Sequence, residues 1–149
     1  MLEQAAAFYR RSEDYLHFLA GTEIDRETIQ ELMRLLMKLY LAGLDLPDCE
    51  CDADDERCGD ADATVSVRID KAIPDCYWEV YDPRVEEKPV CGSLTDDLSD
   101  IARDLRRGMR AYDAGNIGSA VFEWKLMLDC HWGDHALGAL RALHALRTR

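Results

Sequence analysis

Two histidines spaced one helical turn apart are the residues of this chain best suited to chemistry. His131 and His135 fall in a stretch whose apolar positions recur at alternating steps of four and three. These steps predict an amphipathic helix, and residues four apart project from the same face of it. The face continues through Gly138 and Ala142, whose small side chains leave space beside the rings. The histidine pair is therefore expected on the seam of a helical bundle.

Two aspartates are expected opposite the histidines. Asp97 and Asp100 flank the leucine-rich seam of the preceding predicted helix, and the two helices are joined by a short turn near residue 115. In such an antiparallel hairpin both helices rise equally per residue, so Asp97 falls level with residue 133 and Asp100 with residue 130. The sequence therefore predicts a cluster of Asp97, Asp100, His131 and His135.

Three further residues are expected around this cluster. The same hairpin register sets Glu123 level with Arg107, which predicts an ion pair at the rim of the bundle. Asp134 follows His131 by three positions, the reverse order of the Glu-x-x-His motif found in di-iron bundles. That reversed order argues against a di-iron centre and leaves Asp134 at the edge of the cluster.

The cluster has two interpretations. As a metal site, two histidines at positions i and i+4 with carboxylates from a facing helix match the way bundles build inward-facing centres. As a structural network, the aspartates supply the hydrogen-bond partners that a seam histidine needs for its two ring nitrogens. The structural network is preferred from sequence, because buried polar groups are normally satisfied in this way. No cofactor is therefore expected, and a divalent metal is the alternative.

The cysteines and the acidic loop give weaker signals. Cys49, Cys51 and Cys58 do not follow the Cys-x2-Cys spacing of zinc sites, although Cys76 or Cys91 could supply a fourth ligand. The aspartates after residue 51 lack the glycine and glutamate that an EF-hand loop requires. With Cys130, all six cysteines are expected to be thiols. Phosphate-binding, dinucleotide-binding and serine-nucleophile motifs are absent from the sequence.

The pattern predicts one all-α domain over residues 1–149, an up-down bundle of about four main helices. These helices are expected over residues 2–20, from an N-cap at Thr22 to about residue 44, from a cap at Ser93 to about 113, and over 117–145. Residues 47–64 are expected to form an acidic, cysteine-rich loop. Residues 65–92 are expected to pack on the bundle through Tyr77, Trp78 and Tyr81, with helix or strand left open for 65–82.

The charge limits the classes of partner. Thirty acidic residues against eighteen basic ones give a net charge of -12. Such a surface repels nucleic-acid phosphates and anionic membranes, which excludes both as expected partners. The sequence has no stretch of 18 apolar residues and no signal peptide at its start, so a cytoplasmic protein is expected. The oligomeric state is left open.

Three segments resemble an uncharacterised bacterial family of unknown function, DUF5063. They are Tyr77-Trp78-Glu79-Val80-Tyr81-Asp82-Pro83, the run from Gly92 to Ile101 with Asp104-Leu105, and His131-Trp132-Gly133-Asp134-His135 with the run from Ala139 to His144. The resemblance covers roughly residues 75–145. It implies an all-helical domain, and it places Asp97, Asp100, Asp104, His131 and His135 in the family pattern. It implies no activity.

The sequence therefore leads to two functional hypotheses. The first is a non-enzymatic module that binds a protein partner, which rests on the acidic surface and on the absence of a catalytic motif. The alternative is a metal-binding protein, hydrolytic or redox-active, that uses the Asp–His cluster.

Overall fold

The computed structural model describes residues 1–49, 65–80 and 82–148, and in these ranges the chain is mostly helical. The predicted all-α fold class is confirmed, with two small two-stranded sheets added. The helices of the described ranges are α1 Leu2–Gly21, α2 Ile29–Leu44, α3 Leu94–Asp113, α4 Ile117–Cys130 and α5 Trp132–Arg147. The strands are β1 Glu23–Ile24, β2 Arg68–Ile69, β3 Cys76–Glu79 and β4 Val90–Ser93. None of these helices is both long and apolar enough to cross a membrane.

The core is built around two tryptophans of the last two helices. Trp124 and Trp132 are fully buried, and the ring of Phe8 from α1 lies 4.8 Å from the first and 6.0 Å from the second. Each indole N–H is satisfied by a backbone carbonyl: Trp124 donates to Leu105 and Trp132 donates to Trp124, both at 3.0 Å. Burial of both rings without an unpaired donor fixes α4 and α5 against α3 and α1.

The segment before α2 differs from the sequence-based expectation. The predicted N-cap at Thr22 is wrong, because residues 23–24 form β1 and a turn follows. In that turn Asp25 Oδ1 accepts hydrogen bonds from the backbone N–H groups of Glu27 and Thr28, each at 2.9 Å. This side-chain bonding to nearby backbone competes with helix formation, so α2 begins only at Ile29.

The predicted fourth helix is two helices, because the chain breaks at His131. This residue ends α4 and begins α5 with φ −152° and ψ −82°. Gly133 lies so close to the carbonyl oxygen of Leu128 that a β-carbon there would overlap it. The apolar periodicity of residues 117–145 continues across the break, because both α4 and α5 pack against α3. The predicted packing of this segment against α3 is therefore correct, but the prediction of one continuous helix is wrong.

The sequence leaves helix or strand open for residues 65–82, and the regular elements that the structure describes there are strands. β2 pairs in parallel with β1, and β3 pairs antiparallel with β4 with Tyr77 opposite Gly92. Tyr77 packs inward, but Trp78 is 67% exposed, so the expectation that Trp78 anchors the excursion is wrong. The alternation of strand side chains explains the difference between these neighbours. The third expected anchor, Tyr81, and most of the acidic loop, residues 50–64, lie outside the described residues.

The cysteines also depart from expectation. Cys76 and Cys91 form a disulfide across the β3–β4 hairpin, so the expectation of six thiols is wrong for this pair. Antiparallel pairing brings their Cα atoms to 5.8 Å, inside the range that a disulfide spans. The bond removes both residues as zinc ligands. Cys130 has a free thiol, while Cys51 and Cys58 fall among the residues left undescribed.

The β3–β4 hairpin is tied to the start of α3 through Asp75. Ser93 caps α3 as predicted, accepting a hydrogen bond from the Asp96 N–H at 3.1 Å. The Asp75 carboxylate accepts hydrogen bonds from the Ser93 hydroxyl at 2.8 Å and from the Thr95 hydroxyl and N–H at 2.7 Å. Burial acts to raise the pKa of Asp75, but the bonds from Thr95 and Ser93 outweigh it and lower that pKa.

We expect an Asp75→Asn variant to lose stability in a pH-dependent way. Because the pKa of Asp75 is lowered in the folded state, its ionised carboxylate stabilises the fold above the unfolded-state pKa of about 3.9. This stabilisation is lost as the pH falls through the folded-state pKa. Urea midpoints of the wild type and variant should therefore differ by a constant amount between neutral pH and mildly acidic pH, and converge below about pH 4. A difference that widens in acid would contradict the assigned hydrogen bonds.

We expect Gly133→Ala to destabilise the protein by about 1–3 kcal/mol, the usual cost of overpacking. The added methyl group meets the fixed backbone oxygen of Leu128, which cannot rotate away as a side chain would. Chemical denaturation measures the free energy of unfolding.

Gly118→Ala in α4 is the matched control. Its β-carbon would make only an ordinary contact, at 3.8 Å from Cys49 Sγ. A neutral or slightly stabilising effect is expected from helix propensity. Equal losses in the two variants would show that the Gly133 contact is not specific.

Candidate functional site

Two buried aspartates of α3 hold the two histidines. The Asp97 and Asp104 side chains are 6% and 3% exposed. His135 Nδ1 lies 2.8 Å from Asp97 Oδ1, and His131 Nδ1 lies 2.6 Å from Asp104 Oδ2. A carboxylate only accepts, so each imidazole carries its proton on Nδ1 and donates it. In the neutral ring Nε2 then has a free lone pair.

Asp100 completes the cluster on the other side of the rings. Its Oδ1 pairs with Arg103 Nη2 at 2.7 Å, and its Oδ2 lies 3.5 Å from His135 Nε2. The two imidazole rings meet edge to face, with centroids 4.7 Å apart. One ligand atom each from Asp100, His131 and His135 lie within 4.8 Å of one another. In the part of the chain that the structure describes, this is the one such group of possible metal ligands.

The β3 strand adds two side chains to the site. Tyr77 Oη donates to Asp97 Oδ2 at 2.6 Å, and Glu79 Oε2 lies 3.2 Å from the same hydroxyl. Gly138 of α5 permits this approach, since a β-carbon at that position would overlap the Tyr77 hydroxyl. Burial and the acceptor Asp97 raise the pKa of Tyr77 far above its ordinary value, so the phenol keeps its proton.

The carboxylates give the site a negative field. The hydrogen bond to Asp97 raises the pKa of His135, burial opposes this, and the charges of Asp97, Asp100 and Asp104 add to the increase. The cluster therefore favours the protonated, positively charged form of His135.

A cleft of about 340 Å³ opens beside the histidines. Both rings line it, and so do Val80 and Pro83 of the chain after β3. The histidine side chains are 36% and 28% exposed, while the aspartates behind them are buried. Solvent therefore reaches the rings, whereas Asp97 and Asp104 are almost fully shielded from it. The cleft is lined by Tyr77, Glu79, Val80, Pro83, Asp97, Cys130, His131, Asp134, His135, Leu137, Gly138 and Arg141.

The structure brings Asp97, Asp100, His131 and His135 together, as the hairpin register predicts. Asp104, which the family resemblance places in the pattern, bonds directly to His131. The remaining residues predicted from the sequence do not belong to the hydrogen-bonded cluster. Arg107 Nη2 pairs with Glu123 Oε1 at 2.8 Å, but Glu123 is 8% exposed and so lies inside the bundle rather than at its rim. Asp134 is exposed at the edge of the cleft.

Three residues of the site are missed by sequence reasoning: Tyr77, Glu79 and Arg141. Tyr77 and Glu79 alternate along a strand, which places both on one face. This alternation is present in the sequence, but it is too short to assign the stretch as a strand. Gly138 was expected to leave space by the rings, whereas the Tyr77 hydroxyl fills that space.

Comparison with known proteins gives the family. A family described as "Domain of unknown function (DUF5063)" matches residues 1–149. The chain belongs to this family. No curated protein matches the chain. The crystal structure of protein BF1032 from Bacteroides fragilis is similar in fold, with a TM-score of 0.71 at 19% identity. The similarity covers 97% of this chain and 92% of that chain.

We expect Tyr77→Phe to destabilise the protein by about 1–3 kcal/mol, because a buried Asp97 oxygen loses its donor. Urea denaturation measures this loss. Tyr9→Phe is the control, since Tyr9 also donates to a carboxylate, that of Asp113, at 2.9 Å, but in an exposed position. Water replaces that bond, so the control should change stability by no more than about 0.5 kcal/mol. Similar effects in both variants would contradict the role assigned to Tyr77.

Proposed function

We propose that this protein binds a divalent transition-metal ion through Asp100, His131 and His135, of which the two histidines also line the cleft. The observation that carries the proposal is the bonding of both Nδ1 atoms to buried carboxylates. Metal-binding histidines almost always donate their second ring N–H to a carboxylate, a carbonyl or water, which fixes the ring and makes the other nitrogen a better ligand. Asp97 and Asp104 do this for the two rings.

The distances support the same assignment. Two ligands about 2.1 Å from an ion, at a tetrahedral angle, lie about 3.4 Å from each other. Asp100 Oδ2 and His135 Nε2 are 3.5 Å apart, beyond a good hydrogen bond but close to this ligand spacing. The full set spans up to 4.8 Å, so binding requires His131 or Asp100 to move inward. Both side chains are partly exposed.

The chemistry of the ligands selects the class of ion. Imidazole nitrogens suit zinc, iron, copper and nickel, whereas magnesium and calcium prefer sites made of oxygen ligands. Two histidines and one carboxylate are also fewer ligands than a closed structural site needs. Such three-ligand sets leave a position for water or substrate and are typical of catalytic centres.

This proposal develops the alternative of the two hypotheses drawn from the sequence. The other hypothesis, a module that binds a protein partner, stays a prediction, as does the cytoplasmic location. The metal proposal is favoured because specific atoms support it, whereas the interaction hypothesis rests on overall charge and missing motifs.

We expect purified, untagged protein to bind zinc or ferrous iron at one ion per chain. An ion that binds only the folded state at 100 times its dissociation constant stabilises it by about 2.7 kcal/mol. Isothermal titration calorimetry gives the stoichiometry, and thermal unfolding gives the stabilisation. Magnesium should have no comparable effect. Asp100→Asn should weaken binding at least about tenfold, because the amide is a poorer ligand.

Asp96→Asn is the matched control for this experiment. Asp96 is an exposed aspartate of the same helix and lies outside the cluster. The variant should bind the ion as the wild type does. Absence of any bound ion and of any stabilisation would defeat the proposal and favour a purely structural Asp–His network. Equal weakening in both variants would mean that only general surface charge attracts the ion.

A further inference from the structure

We propose that the cleft binds a small dicarboxylate, one end on the metal ion and the other on the Arg141 guanidinium. This inference rests on the proposed metal site and names the class of molecule that the site takes. Its basis is a juxtaposition that the metal site alone does not explain: both histidines and Arg141 line the same cleft. A cleft of about 340 Å³ lies in the range of small-molecule sites.

Arg141 is placed to act as the distal anchor. It lies six residues after His135 on α5, so the rise between them along the helix axis is about 9 Å. It is exposed, and it forms no ion pair or hydrogen bond with other residues that the structure describes. Among the cleft residues it is the one permanent cation. A planar guanidinium binds a carboxylate through two parallel hydrogen bonds, which gives it directional selectivity.

The cleft between the two anchors suits a short carbon chain. Val80 and Pro83 line it on the hairpin side, and Leu137 lines it on α5. Leu137 is 51% exposed, so part of its apolar surface is available to a ligand. A molecule with carboxylates at both ends and methylene groups between them matches this combination of lining residues, because apolar contact adds to the two charged contacts.

The acidic residues of the cleft set the order of binding. Glu79 and Asp134 also line it, and Asp97 lies behind the rings. Without a bound cation these charges repel a dianion, since Arg141 alone does not balance them. A divalent ion at the histidines lowers the negative charge and offers the first carboxylate a ligand position. We therefore expect dicarboxylate binding to require the metal.

The test is titration of the zinc-loaded full chain with glutarate, with butyrate as the monocarboxylate probe and inorganic phosphate as the alternative anion. Glutarate should bind, and metal-free protein should not bind it. Arg141→Gln should weaken glutarate binding about ten- to hundredfold, the range expected for one charged hydrogen-bonding partner. The same variant should leave butyrate binding unchanged, because butyrate has no second carboxylate.

Arg10→Gln serves as the control, because Arg10 is an exposed arginine of α1 that does not line the cleft. Zinc affinity is measured separately on each variant and should be the same in all of them. Equal glutarate affinity in wild type and Arg141→Gln would overturn the inference while the metal site stands. Phosphate binding that depends on Arg141 in place of glutarate would overturn it too. Protein that binds no zinc would defeat both the metal site and this inference.

Discussion

The site depends on one constraint: two carboxylates of the same helix are buried in the bundle and must find donors there. Asp97 and Asp104 are almost completely shielded from water, and an unpaired buried carboxylate would cost several kcal/mol. Their positions differ by seven residues, about two turns, so both point from the same face of α3. The donors must therefore come from groups spaced along the facing element. His131 and His135 provide them, one ring for each carboxylate.

The break at His131 places these donors where one straight helix would not. Asp97 and Asp104 are about 10 Å apart along α3, whereas four residues of a straight helix separate the histidines by only about 6 Å. His131 sits at the junction of α4 and α5 with its own backbone angles, and its ring reaches Asp104. His135 lies inside α5 and reaches Asp97. The junction thus lets two histidines one turn apart serve carboxylates two turns apart.

The sequence predicts the members of the cluster because both helices obey a seam pattern that extends across the break. Equal rise per residue was enough to place Asp97 near His135 and Glu123 near Arg107. It could not predict the break, which depends on contact between Gly133 and a backbone oxygen. It also could not predict Tyr77, since a four-residue strand with polar neighbours has too little periodicity to be assigned. Both failures concern contacts between segments, which local pattern does not encode.

The two nitrogens of the His135 imidazole have different partners. A ring nitrogen in the interior needs a side-chain or backbone partner, whereas a ring nitrogen that faces solvent can bond to water. Here the Nδ1 sides have short bonds to buried carboxylates, and Tyr77 holds one of those carboxylates in turn. The Nε2 side of His135 has only Asp100 at 3.5 Å, and both rings border an open cleft. The chain thus fixes the orientation of the rings through their Nδ1 atoms and leaves part of each ring accessible to solvent, an arrangement that is compatible with the proposed ion.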